Sequence, residues 1–546
     1  MSLLDEEPIE MIRLVAAWVL VNGLFLSPQW LNAALTDGEA PAWVALEAAA
    51  VVGLLALLPR RRWSGTLVWA AALGVVLVTI LVFANGIFLA SLARPLNLSL
   101  DLYLLGAVYN LSVGNAGLPM TIVTLALVAL ATMILTLGLA WMLTPADSKS
   151  GQAASPLAPK LGGVALIVIF ALGMTSRLGP GLEPLVATPV FQLLGEQSEL
   201  FRATRREREA FASTLAGAPD SDAKVPGLLV KLRGADVFVT FIESYGMAAV
   251  EDPEFAAVIR PRLDTLATRM EGAGIHLVTG VLTSPTHGGQ SWYAHGTLMS
   301  GLWLENQLRY DLLMASDRET LVDDFHRAGY RTAALMPATT MNWPDGVRLG
   351  YDDIYTARTI PYAGPPMYWV TMPDQFTWSF LAGTVRSAAE GRPLFVETAM
   401  VSSHAPWTPV LPMVDWDSIG DGSAFEPFRQ DGHPPEELWI DTSVLRHGYS
   451  RSLDYSLQAM TGFAERSVDD RTLLIVLGDH QAAPWVTGAV TPEVPVHVFA
   501  RDPALLEPFL AWGLRAGAIP VRTATPARMD DFREWFVQAF SGADHD

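Results

Sequence analysis

The chain has 546 residues, 51% of them hydrophobic, and its mean hydropathy of +0.30 is high for a soluble enzyme. A formal net charge of −20 argues against a nucleic-acid partner, which needs a basic face, and against a broad electrostatic grip on anionic lipid. With no cysteine, disulfides, thiolate metal ligands, thiol nucleophiles and a cysteine-derived formylglycine are all excluded.

Hydrophobicity is concentrated in the first third. At ~20 apolar residues per bilayer crossing, the pattern predicts a bundle of five membrane helices within residues 1–179. Residues 14–36 carry no charge, and 41–59 carry Glu47 alone. Residues 66–93 and 120–144 are long and uncharged, and 161–176 lie between Lys160 and Arg177. The first span is not a cleavable signal peptide, because the segment before it is acidic with only Arg13 basic, and more spans follow. Basic residues mark the cytoplasmic loops. Arg60, Arg61 and Arg62 fall in one loop and Lys149 and Lys160 in another, on the same side. The expected topology is therefore N-terminus inside and everything beyond about Gly179 outside, in an inner membrane. The stretch Arg94–Pro119 mixes Leu, Tyr and Asn with Arg94 and Asp101. It reads as a plain loop or as an amphipathic piece in the outer interface that helps present a lipid head group.

Residues 180–225 read as a charged helical linker, and 226–546 as one large globular domain. Short apolar or β-branched runs appear there: VFVTFIES, IHLVTGVLTS, RTAALMP, PLFVETAMVSS, TLLIVLGD and VPVHVFA. Helical stretches at 253–273, 318–329, 372–390 and 450–468 separate most of them. Such alternation predicts an α/β domain with a mostly parallel sheet covered on both faces. Sites in such sheets form at the C-terminal ends of strands. VFVTFI leads into Glu243, VETAMVSS into His404, and LLIVLG into Asp479 and His480. An Asp-His pair after one strand can be a mere turn. Carboxylates and a histidine at several strand ends point instead to a divalent-metal site.

Between IHLVTGVLTS and the next helix lies PTHGGQSWYAHGTLMSGL. Gly288 and Gly289 permit a tight turn, and Ser291 opens a helix-compatible run. A serine there meets the N–H groups and positive dipole end that suit phosphate. The competing reading is a plain N-cap. Ser284, Thr286 and Thr297 are rival hydroxyls.

The succession FIESYG, GGQSWYAHGTLMSGL, SSHAPW, VLGDHQ resembles the membrane-anchored phosphoglycerol and phosphoethanolamine transferases of the alkaline-phosphatase/sulfatase superfamily, among them the lipoteichoic acid synthases. The resemblance implies an alkaline-phosphatase/sulfatase-like catalytic domain exposed to the periplasm. It implies that Glu243, Ser291, Asp479 and His480 hold one divalent metal, manganese or zinc, with magnesium as a further option. Ser291 stands where the related transferases usually carry threonine as nucleophile. His404 matches a substrate-binding histidine that stabilises phosphate charge or protonates the leaving oxygen. Trp343 and Arg348, in NWPDGVRLGYDDIY, resemble a head-group pocket at shorter spacing. His287, His295 and His447 have no matched role.

The implied reaction moves a phospholipid head group, phosphoglycerol or phosphoethanolamine, through a covalent Ser291 intermediate to a hydroxyl of a periplasmic glycan or lipid. Alternatives are a phosphodiesterase or sulfatase-type hydrolase, and a noncatalytic membrane scaffold. HQAAPWVTG holds no histidine after His480, which favours a single-metal, phosphoglycerol-transferase-like site. The Cys/Ser-x-Pro-x-Arg pattern of sulfatases is absent.

Overall fold

The computed structural model describes residues 7–36, 42–58, 62–144, 157–176, 185–216, 225–429 and 441–542. The chain divides into two compact units, residues 1–90 with 94–206, and residues 91–93 with 207–546.

The first unit is helical: α1 (Glu7–Thr36), α2 (Leu46–Leu57), α3 (Arg62–Leu92), α4 (Leu104–Leu143), α5 (Leu157–Ser176) and the first part of α6 (Pro189–Ala216). Four of these, α1, α3, α4 and α5, are long and apolar enough to cross a membrane. The fifth expected span is shorter than its sequence suggested. Helix α2 has 12 residues, roughly 18 Å at 1.5 Å per residue against a bilayer core of about 30 Å. It packs closely on α5 through two glycines: a Cβ at Gly53 would lie 2.9 Å from the Gly163 carbonyl oxygen. The lone charge of that stretch has a structural task. Glu47 is buried, and its carboxylate accepts the Phe191 N–H at 2.9 Å, satisfying a donor in the first turn of α6. Arg13 likewise donates to the Thr144 carbonyl at 2.6 Å, just past the end of α4. The stretch Arg94–Pro119 is not a simple loop. It is helical from Leu104 onward and breaks at Gly117, whose φ is 77°, just before Pro119. An Arg94–Asp101 ion pair of 2.8 Å holds the turn that precedes it. Arg60, Arg61, Lys149 and Gly179, on which the expected topology rests, lie outside the described residues.

The second unit is α/β. In chain order its main elements are β1 (Asp236–Ile242), α7 (Pro253–Gly272), β2 (His276–Thr283), α8 (Ser291–Ser300), β3 (Arg331–Met336), α9 (Pro344–Leu349) and β4 (Asp353–Thr356). After these come β5 (Leu394–Met400), α10 (Thr442–Ser467), β6 (Thr472–Gly478), β7 (Glu493–Ala500), β8 (Arg515–Ala516), β9 (Ala527–Arg528) and α11 (Asp531–Phe540). All six apolar runs read from the sequence are strands. The nine-stranded sheet has the order β8-β2-β7-β6-β1-β5-β3-β4, with β9 beside β2.

The sheet is mixed rather than mostly parallel. Strands β6, β1, β5, β3 and β4 run parallel, whereas β7 is antiparallel to β6, β2 to β7, and β8 to β2. The reversal has a local cause. The link from β6 to β7 carries only the four-residue helix Pro484–Thr487, too little for the helical crossover a parallel return needs.

Strand β1 explains why these runs lack an alternating pattern: both of its faces are covered. Val237, Val239 and Phe241 pack with Ala294 and Leu298 of α8 and Phe536 of α11. Phe238 and Ile242 pack with Phe255 and Ile259 of α7 and Phe463 of α10.

Candidate active site

Register brings the strand ends level. Ile242 of β1 is paired with Gly478 of β6 on one side and Met400 of β5 on the other. The next residues, Glu243, Asp479 and Val401, therefore emerge together at the C-terminal edge of the parallel strands, where α/β sheets place their sites. Two bonds continue the ladder one step: Glu243 N–H to Met400 O at 3.1 Å, and Asp479 N–H to Ile242 O at 3.3 Å.

Glu243, Asp479 and His480 each offer a ligand atom, and these atoms lie within 4.8 Å of one another. His480 Nε2 is 3.3 Å from Glu243 Oε1 and 3.6 Å from Asp479 Oδ2. Both carboxylates are aimed by Ser244, which sits at φ 59°. Its hydroxyl donates to Glu243 Oε1 at 2.9 Å and its N–H to Asp479 Oδ1 at 2.8 Å. The Ser403 hydroxyl donates to the Glu243 carbonyl at 2.6 Å, and Tyr449 OH to the Ser244 carbonyl at 2.8 Å. The sequence does not mark Ser244, Ser403 or Tyr449. The nearest signal is the hydroxyl beside each candidate in FIES and SSH.

The loop that leads into Ser291 is a sharp elbow. Gly288, Gly289 and Gln290 have φ of 70°, 146° and 64°, and α8 begins at Ser291. The N-cap is thus Gln290, and the N-cap reading of Ser291 falls. Its Oγ donates to Glu243 Oε2 at 3.3 Å and lies 3.3 Å from His480 Nε2. The rival hydroxyls serve the scaffold. Ser284 donates to the Asp479 carbonyl and Thr286 to the Gly289 carbonyl, both at 2.6 Å, and Thr297 accepts the Leu304 N–H at 3.0 Å. His287 is buried, 3.1 Å from the Ala482 carbonyl, and burial followed by the neighbouring His480 lowers its pKa to about 4.

The electrostatics show a site short of positive charge. Burial alone would raise the Glu243 carboxyl, but His480 and His404 outweigh it and hold it well below the usual range. Burial and Glu243 together raise Asp479 to about 6. Burial opposes charge on His480, yet Asp479 and Glu243 prevail and push it up to about 9. The cluster thus draws in a proton. A divalent cation would supply that charge directly, and the mixed oxygen and nitrogen donors fit manganese or zinc without choosing between them.

His404 reaches this neighbourhood from the end of β5. Its Nδ1 is 2.5 Å from the Ala405 carbonyl, so the Nδ1–H donates there, and Trp369 packs edge-on at 5.9 Å. A small cavity beside it, of about 10 Å³, is lined by Met367, Val370 and Leu411 as well as by Ser402, Thr408, Ser452 and Tyr455. The two expected pocket residues make different contacts. Trp343 stacks on Tyr351 at 6.3 Å, on a chain of contacts leading to α8, whereas Arg348 donates to the Ser316 carbonyl. His447 is exposed on α10.

No protein-family model matches the sequence, and no curated protein matches it. Many solved structures are similar to this chain. One is the integral membrane lipooligosaccharide phosphoethanolamine transferase A of Neisseria meningitidis, 11% identical over 98% of this chain and 95% of that one, with a TM-score of 0.47. Another is a lipoteichoic acid synthase of Listeria monocytogenes, 11% identical over 61% of this chain and 78% of that one, with a TM-score of 0.39. A third is a phosphoglycerol transferase of Streptococcus pyogenes in complex with sn-glycerol-1-phosphate, 11% identical over 62% and 81%, with a TM-score of 0.35.

Proposed function

We propose that this chain is a membrane-anchored, metal-dependent phosphotransferase that moves a phospholipid head group, phosphoglycerol or phosphoethanolamine, onto a periplasmic hydroxyl through a covalent Ser291 intermediate. The observation that carries the reading is the Ser291 hydroxyl at the first turn of α8, within 3.3 Å of both Glu243 and His480. In this reading, residues 1–179 anchor the chain by four crossings, 180–225 link, and 226–546 form the periplasmic catalytic domain, on the same side as the N-terminus and opposite the basic loops.

A divalent ion held by Glu243, Ser291, Asp479 and His480 would lower the Ser291 pKa and neutralise phosphate charge. The residues do the rest. Ser291 Oγ attacks phosphorus, and the bond to the lipid alcohol, diacylglycerol, breaks. The Ser291 proton passes by way of the site to the departing oxygen, and the head group stays on Ser291 as a phosphodiester. The acceptor hydroxyl then attacks phosphorus, the bond to Oγ breaks, and the acceptor's proton returns to Ser291. His404, its Nδ1–H committed to Ala405, keeps Nε2 for the phosphate or the leaving oxygen.

The test is intact-protein and peptide mass spectrometry after incubation with mixed phosphatidylglycerol and phosphatidylethanolamine vesicles. The expected result is a glycerophosphate or phosphoethanolamine mass on Ser291. An adduct on another hydroxyl, or none under turnover, would overturn the reading.

A further inference from the structure

A second set of polar groups meets α8 one turn beyond Ser291, and the chemistry above does not use it. His295 follows Ser291 by four residues, which is one helical turn and the same face. Its ring stacks on Phe241 of β1 with centroids 3.8 Å apart. Its Nδ1 is 2.7 Å from Glu397 Oε1. The other oxygen of that carboxylate, Oε2, accepts the Tyr351 hydroxyl.

Glu397 is not at a strand end. It sits within β5, opposite Val239 of β1 and Ala334 of β3, and is 1% exposed. A carboxylate there loses its hydration, a cost offset only when both oxygens are paired. An apolar residue of similar size would pack in such a place at no such cost. The chain continues outward, because Tyr351 is buried and stacks on the part-exposed Trp343.

We infer that His295, Glu397 and Tyr351 form a positioning chain that fixes the rotation of α8, and with it the Ser291 hydroxyl, and that ties this setting to the segment carrying Trp343. The inference rests on Ser291 being the nucleophile. Glu397 accepts from both ends, so His295 must present Nδ1–H to it, which locks the ring and the helix face that bears it. A helix on an apolar sheet face can rotate or slide by a fraction of a turn at little cost, since apolar contacts are non-directional. One buried, two-ended hydrogen-bonded chain removes that freedom. Displacing a nucleophile by about 1 Å can cost on the order of 10²-fold in rate.

The experiment uses full-length protein in lipid nanodiscs and the variants His295→Asn, His295→Gln, Glu397→Gln and Tyr351→Phe. Asparagine keeps an amide N–H near the Nδ1 position, whereas glutamine carries it one bond further out. Four quantities are read: bound metal per chain, melting temperature, kcat and KM on phosphatidylglycerol and phosphatidylethanolamine vesicles, and the rate of Ser291 labelling by a fluorophosphonate. His295→Gln should lower kcat and labelling on the order of 10²-fold, with KM and metal content unchanged. His295→Asn should restore most of the rate. Glu397→Gln added to His295→Gln should cost little more than either alone. Unchanged kcat and labelling in His295→Gln would overturn the inference. So would equal losses in the Asn and Gln variants that follow melting temperature or metal content, since that is simple structural damage. Wild-type protein that labels at Ser291 but turns over neither lipid would overturn the proposed donor instead, and the chain would then be judged on labelling alone.

Discussion

Ser291 is held from two sides, and the sides are built differently. At the strand ends Glu243, Asp479 and His480 crowd their ligand atoms within 4.8 Å, and together they are short of positive charge. Beneath α8, Glu397 has one donor on each oxygen, His295 and Tyr351. A polar cluster with more acceptors than protons is built to receive a cation. One whose acceptors are all matched is built to hold a position. Buried carboxylates occur in both, so the balance of donors and acceptors separates a binding site from a brace better than burial does.

The widest gap between the sides should appear at Ser291 itself. Ser291→Ala should abolish transfer, by on the order of 10⁴-fold or more. Ser291→Thr should keep partial activity, because the hydroxyl remains. Stability should change little in either, since Gln290 rather than Ser291 is the N-cap. Steady-state kinetics with parallel thermal melts decides it. Normal turnover by Ser291→Ala would return the role to another hydroxyl, with Thr286 first.

Removing cluster members should act through the metal. Glu243→Ala and His480→Ala should each lose the bound ion together with activity, measured by elemental analysis beside kcat, whereas the brace variants keep it. A metal-replete, active Glu243→Ala/His480→Ala protein would dissolve the distinction between the two sides.

The cluster also sets a pH dependence. In metal-free protein the His480 pKa rises to about 9 from an ordinary 6.5. A group raised on folding adds stability that is full below its unfolded pKa and lost as pH rises through its folded one. Metal-free protein should therefore lose stability between roughly pH 6.5 and 9, while metal-loaded protein should not. Metal must displace the same proton, so apparent affinity should climb about tenfold per pH unit up to about 9. Below about 6, where Asp479 also binds a proton, the fall should steepen. Isothermal titration across that range checks it, and affinity flat from pH 6.5 to 9 would mean that His480 is not a ligand.

The two sides also differ in how far the sequence reveals them. Glu243, Asp479 and His480 were legible because each directly follows an apolar strand, and the parallel register of β1 and β6 then makes neighbours of residues far apart in the chain. Ser291 was legible from the glycine pair before it. Glu397 was not, although a single charge inside PLFVETAMV is a visible signal. Its partner could not be read, because His295 meets it only through packing of α8 on the sheet. The contact that Arg348 makes, its guanidinium donating to the Ser316 carbonyl, was equally invisible in the sequence. The antiparallel edge was hidden because an apolar run does not state its direction. Among the described residues four helices rather than five are long and apolar enough to span, and composition alone cannot tell that 41–59 gives the 12-residue α2.

The smallest effect should come from the elbow that joins the two sides. Gln290 holds φ 64°, a conformation that costs a non-glycine residue about 1–2 kcal/mol. Gln290→Gly removes that strain, but glycine frees the unfolded chain by about 0.5–1 kcal/mol, and the contact from Gln290 Nε2 to Tyr293 OH at 3.3 Å is lost. These contributions nearly cancel, so denaturant midpoints should barely move. Rate need not follow stability. The elbow delivers Ser291 to the cluster, and a glycine there lets the first turn of α8 sample other directions while the His295 brace still holds the turn after it. A fall in kcat of a few-fold with KM and metal content unchanged is expected, well short of the loss expected from His295→Gln. If kcat stays at the wild-type value, the brace alone aims Ser291 and the strained elbow is only a turn. If the loss matches that of His295→Gln, aim is set by the loop, and the positioning assigned to the buried side belongs to the strand-end side instead.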